Sequence, residues 1–148
     1  MKKIIDGKLY NTETARALGS WSGDDLSSFS WYEEELYQKK TGEFFLYGSG
    51  HAASPYAKSC SDGTTGPGEA IRPLSYDAAR EWAERRLTAD EYEAIFGEIA
   101  EDDSRVAVNL SLSAASADRA RRAAAEQGRT LSSYIEGLIA ADRIHEAN

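Results

Sequence analysis

The chain has 148 residues, 41% hydrophobic and 28% charged, with 17 Lys+Arg against 25 Asp+Glu. That balance fits one ordinary globular domain or two small ones, and excludes a fully disordered or fibrous chain. A formal charge of -8 disfavours a mainly electrostatic DNA binder, because such a chain repels a phosphate backbone. A single Cys leaves no intrachain disulfide to form and suits a reducing cytosol. No apolar run approaches the roughly 20 residues of a membrane span. The opening Met-Lys-Lys-Ile-Ile-Asp-Gly-Lys lacks the apolar region of a signal peptide. The expectation is a soluble, cytoplasmic protein with no membrane partner.

In chain order, Lys2–Ile5 and Lys8–Tyr10 flank Asp6-Gly7, the pair that supplies the positive φ angles of a two-residue hairpin turn. Asn11 or Thr12 can cap a short helix over Glu13–Leu18, with Gly19 in the C′ position. Trp21–Ser28 reads as a loop. Phe29–Gln38 and Glu43–Tyr47 flank Lys39-Lys40-Thr41-Gly42 as a second, aromatic-rich hairpin. Gly48–Gly68 is Gly/Ser/Thr-rich and reads as irregular, followed by a short strand near Ala70–Arg72. Ser75 can cap a helix over Tyr76–Leu87. Thr88-Ala89-Asp90-Glu91 matches the capping box, with a helix over Ala89–Ile99.

Residues 1–100 hold 11 basic and 17 acidic side chains, and residues 105–148 hold 6 and 5. The acidic run at 101–104 between them reads as a linker. The expected organisation is therefore an acidic α+β domain over 1–100, a small antiparallel sheet with helices, followed by a nearly neutral domain over 105–148. In that second segment Arg105–Leu112 alternates, with Val106, Val108, Leu110 and Leu112 sharing one side. Helices follow over Ala114–Gln127, ended by Gly128, and from Thr130 onward. The second carries Leu131, Tyr134, Ile135, Leu138 and Ile139 at helical spacing. One strand and two helices of this size bury too little apolar surface alone, so a second copy is expected to pair with the strand.

Val-Ala-Val-Asn-Leu-Ser-Leu at 106–112 and Glu-Gln-Gly-Arg-Thr-Leu-Ser-Ser-Tyr-Ile at 126–135 resemble the ribbon-helix-helix family of Arc/MetJ/CopG-like dimers. The resemblance implies a homodimer built on a two-stranded ribbon. Its core would be Val106, Val108, Leu110, Leu131, Tyr134, Ile135 and Leu138. In many relatives outward ribbon side chains enter a DNA major groove. Carried over, Arg105 and Asn109 would read bases while Thr130 marks the phosphate-binding helix start. Ala107, at the central outward position, offers only a methyl contact.

The first segment is similar to a small domain common on phages, plasmids and integrative elements. The carrying residues are Lys-Lys-Ile-Ile-Asp-Gly-Lys-Leu-Tyr-Asn-Thr-Glu-Thr-Ala at 2–15, Glu-Glu-Leu-Tyr-Gln-Lys-Lys-Thr-Gly-Glu-Phe-Phe-Leu at 34–46, Ser-Pro-Tyr-Ala at 54–57 and Ile-Arg-Pro-Leu-Ser at 71–75. Proteins carrying this domain include anti-CRISPR inhibitors, so the resemblance implies a CRISPR-Cas effector as partner. Acidic clusters supply a separate physical argument, since a folded acidic surface can occupy a basic nucleic-acid channel. The partner-binding candidates are Asp24, Asp25, Glu33 and Glu35. On a strand Glu33 and Glu35 share one face; Tyr32 and Leu36, with the parity of Glu34, argue that the Glu34 face is the inward one. The alternative reading is a DNA-binding regulator or antitoxin, with autorepression as a combined form. His51, Cys60 and Asp62 lie close in sequence but carry no nucleophile signature, and no metal-ligand or phosphate-loop spacing is present. Neither catalysis nor a cofactor is expected.

Overall fold

The computed structural model describes residues 1–102 and 104–142. Among the described residues the fold is α+β, with antiparallel sheets and four helices. The chain divides into two compact units, Met1–Ser104 and Arg105–Asn148. Among the described residues no helix is long and apolar enough to cross a membrane.

The first unit opens with the Asp-Gly hairpin. Strands β1 (Lys2–Ile5) and β2 (Lys8–Asn11) pair with Ile5 opposite Lys8. The turn residues Asp6 and Gly7 both have positive φ, 49° and 74°, as a type I′ turn requires.

The helix expected over Glu13–Leu18 is not formed. Asn11 instead holds a turn, its side chain accepting from the Glu13 amide at 3.0 Å, and strand β3 (Arg16–Ser22) follows. Six residues make a poor isolated helix, whereas a strand buries Leu18 and Trp21 against the core. The register against the next strand slips between Ala17 and Gly19. This bulge puts Leu18 and Trp21, three residues apart, on one side, and both pack on the same cluster. Strand β3 also takes in Trp21 and Ser22, from the stretch read as a loop.

Strands β4 (Tyr32–Gln38) and β5 (Phe44–Gly50) form the aromatic hairpin, closed by the Lys39 amide donating to the Glu43 carbonyl at 2.8 Å. The segment 48–68 is more regular than its composition suggests. Strand β5 runs to Gly50, and β6 (Lys58–Ser59) pairs with β7 (Thr65–Gly66). Strand β8 (Gly68–Leu74) then joins the main sheet in the order β3-β4-β5-β8.

Helix α1 (Tyr76–Arg86) starts at the Ser75 cap, and α2 (Ala89–Phe96) at the Thr88/Glu91 capping box. Helix α2 ends before Ile99 because Gly97, at φ 91°, turns the chain out of it. The sheet has a core on each face. On one, Leu36, Phe44 and Leu46 pack with Ala79, Trp82, Ala83 and Tyr92 of the helices. On the other, Tyr37, Phe45 and Ile71 pack with Tyr10 of the hairpin. Phe45, fully buried, stacks on Tyr37 at 5.1 Å and meets Tyr10 edge-on at 5.4 Å.

In the second unit α3 (Ala114–Glu126) is capped by Ser113 and α4 (Leu131–Ala141) by Thr130, with Gly128 at φ 64° between them. The strand expected over Arg105–Leu112 is not present; those residues are in neither helix nor strand. A strand exists only within a ladder, and among the described residues this unit offers no second strand.

Candidate partner-binding surface

Strand β4 carries three consecutive glutamates, and the pleat sends them to two faces. Glu34 points into the helix-covered side and is buried. Its carboxylate accepts from the Tyr56 hydroxyl and from the Trp82 indole N–H, each at 2.7 Å. Tyr56 reaches it by lying across Gly48, where any Cβ would collide with the ring. Arg72 stacks over Tyr56 at 4.7 Å. Arg86 stacks over Trp21 at 3.7 Å and donates to the Tyr32 hydroxyl at 3.0 Å. Burial, then the bond to Glu34, pushes the Tyr56 phenol up. With each carboxylate oxygen taken by a side-chain donor, Glu34 acts as a tie between strand, loop and helix.

Glu33 and Glu35 stand on the other face, Glu33 exposed and Glu35 half-buried. Register places Glu33 beside Ser22 and Ser49, and Ser49 beside Glu69 of β8. Glu35 lies beside Ser20 and Tyr47. Ser49 donates to Glu33 at 3.1 Å, and Tyr47 donates to Glu69 at 2.7 Å. The Glu69 bond, more than burial, pushes the Tyr47 phenol up to about 12. The result is a hollow of about 240 Å³, walled by Ser20, Trp21, Ser22, Glu33, Glu34, Glu35 and Tyr47. Its chemistry is that of a hydrogen-bond acceptor surface, suited to Lys and Arg side chains.

Tyr47 and Glu69 belong to this surface, although the sequence pattern does not single them out. Glu69 shares the parity of Ile71, which is buried, so the alternation alone carries no signal for it. Asp24 and Asp25 lie in the loop after β3 and do not wall the hollow. Asp25 is engaged locally, accepting from the Ser27 hydroxyl and amide, which hold its carboxyl below the usual range.

Cys60 and Asp62 share the turn between β6 and β7, both engaging Thr64, whereas His51 bonds elsewhere. The His51 ring bonds the Ser28 carbonyl at 2.8 Å and packs on Trp31 at 5.1 Å. Asp62 accepts from Thr64, and Cys60 is exposed. His145 lies outside the described residues. Among the described residues no group of three or more His, Cys, Asp or Glu is placed to hold a metal ion.

In the second unit Val106, Val108, Leu110, Leu112, Leu131 and Leu138 are exposed, with Val108 at 72%. Tyr134 and Ile135 are half-buried, and Ala124 is the only buried residue among those described there. Arg105 pairs with Glu136 at 3.3 Å. Asn109 is exposed, and Thr130 is spent as the α4 cap, accepting from the Ser133 amide at 3.1 Å. No family model, curated protein or solved structure matches the chain.

Proposed function

We propose that the chain is a non-catalytic inhibitor carried by mobile genetic elements, which binds a host CRISPR-Cas effector in the cytoplasm as a homodimer and acts by occupancy. The observation that carries this reading is the part of the sheet face beyond the hairpin-covered cluster, where Glu33 and Glu69 are exposed and Glu35 is half-buried around Tyr47. A carboxylate surface of this kind suits a basic nucleic-acid channel, and such complementarity raises association rate and selectivity. The resemblance of the first segment to the mobile-element domain directs the choice of partner.

The homodimer is proposed from the apolar side chains of the second unit. They are more exposed than a small unit can sustain without cover. A ribbon-helix-helix pairing through 106–112 would bury them. The alternative of a DNA-binding regulator or antitoxin has less support, because the chain carries a formal charge of -8 and Ala107 offers only a methyl contact at the central outward position.

The reading is tested by phage plaquing on hosts carrying different CRISPR-Cas types, with and without the expressed chain. Protection of phage against at least one type is expected. Failure to protect against every type would remove the inhibitor reading.

A further inference from the structure

A second docking surface lies on the helical side of the first unit, across the sheet from Glu33 and Glu35. A groove of about 260 Å³ opens along α1 and α2, walled by Ala83, Leu87, Ala89, Tyr92 and Ile99, with Glu84 and Glu93 at its rim. Its frame is fixed by hydrogen bonds. Thr88 and Glu91 close the capping box, the Thr88 amide donating to Glu91 at 2.8 Å and the Glu91 amide to Thr88 at 3.3 Å. Arg80 donates to the Tyr92 hydroxyl at 2.7 Å and holds that ring in place. Gly97 then turns the chain so that Ile99 lines the groove while remaining 56% exposed.

Three features define what fits. The volume falls below the roughly 300–1,000 Å³ of small-molecule pockets, so it suits one large side chain. The walls are apolar, so that side chain is aliphatic or aromatic. The charged residues lining the groove, Glu84 and Glu93, are both acidic, so the segment around the anchor is basic. We infer that this groove docks a polypeptide segment of a partner protein that presents one large apolar side chain flanked by Lys or Arg. The frame is in place before binding, so little ordering cost opposes the contact. The inference concerns a different surface from the acidic sheet face and stands whatever partner that face takes.

The test is an amide-shift titration of the isotope-labelled full chain with a synthetic peptide bearing one Leu between Lys and Arg residues. Saturable shifts at Leu87, Ala89, Tyr92 and Ile99 are expected. Replacing the peptide's Leu by Ala, or its basic residues by Glu, should weaken binding at least tenfold. The Glu84→Lys/Glu93→Lys variant should lose it to the same extent. Ala89→Trp, which plugs the groove from an exposed position, gives an independent check if the charge reversals unfold the chain. Absence of saturable shifts would overturn the inference, as would equal binding of the Ala or Glu peptides. Shifts of the same amides with protein concentration alone would assign the groove to a second copy and overturn it too.

Discussion

Trp82 donates its indole N–H to the buried carboxylate of Glu34 at 2.7 Å, joining helix α1 to the sheet across 48 residues of sequence. The Tyr56 hydroxyl takes the other oxygen, so one glutamate holds three parts of the first unit together. A hydrogen bond to a charged group contributes about 1.5–3 kcal/mol. Trp82→Phe and Tyr56→Phe should each lower stability by about that amount in urea denaturation. Glu34→Ala should cost more than either, because it strands both donors. A change below roughly 0.5 kcal/mol in all three would show that the tie does not stabilise the fold.

The parity of Glu33, Glu34 and Glu35 is legible in the amino-acid pattern alone. Leu36 and Tyr32 mark the Glu34 side as inward, and Glu34 is buried. The Asp6-Gly7 turn, the Ser75 cap and the Thr88 capping box are also readable, because each depends on neighbours within a few residues. Strand β3 is not. Its bulge sets Leu18 and Trp21 on one face at a spacing of three, which hides the alternation by which a strand is recognised. The hollow around Tyr47 is hidden for a different reason. Glu69 comes within reach of the Tyr47 hydroxyl only through the β5–β8 pairing, a long-range register that local pattern does not encode.

Alkaline pH should destabilise the first unit through its tyrosines. An unfolded phenol releases its proton near pH 10, whereas Tyr47 holds its own up to about 12 and Tyr56 is raised as well. Below pH 10 both states keep the proton and this contribution is fully present. Above it the unfolded chain binds fewer protons, so stability falls as pH rises toward the folded values. Thermal melts on either side of pH 10 should show this fall, flattened in Tyr47→Phe and Tyr56→Phe. A wild-type melting temperature unchanged well above pH 10 would contradict it.

The exposed apolar side chains of the second unit should be covered by a second copy. Sedimentation of the full chain is expected to give a dimer. Val108→Asp should raise the dissociation constant at least a hundredfold, about 3 kcal/mol, because it buries a charge without a partner. A monodisperse wild-type monomer at high concentration would refute the dimer.

DNA reading by the ribbon has its own signature. If Arg105 and Asn109 read bases, alanine at either position should cost about 1–3 kcal/mol at one operator position, and affinity should fall steeply with salt. With a formal charge of -8 and Ala107 at the central outward position, no band shift is expected on the gene's own promoter DNA at low salt. A specific shift abolished by Arg105→Ala would favour the regulator reading instead.

The most direct measurement is a DNA-binding titration of a sensitive CRISPR-Cas effector with the purified wild-type chain and with the Glu33→Lys/Glu35→Lys variant. Glu33 is exposed and Glu35 half-buried on β4, and both line the hollow, so a thermal melt first establishes that the double reversal is folded. Wild type is expected to block DNA binding stoichiometrically, and the folded variant to lose at least tenfold in potency. Equal inhibition by the variant would contradict the acidic face as the interface.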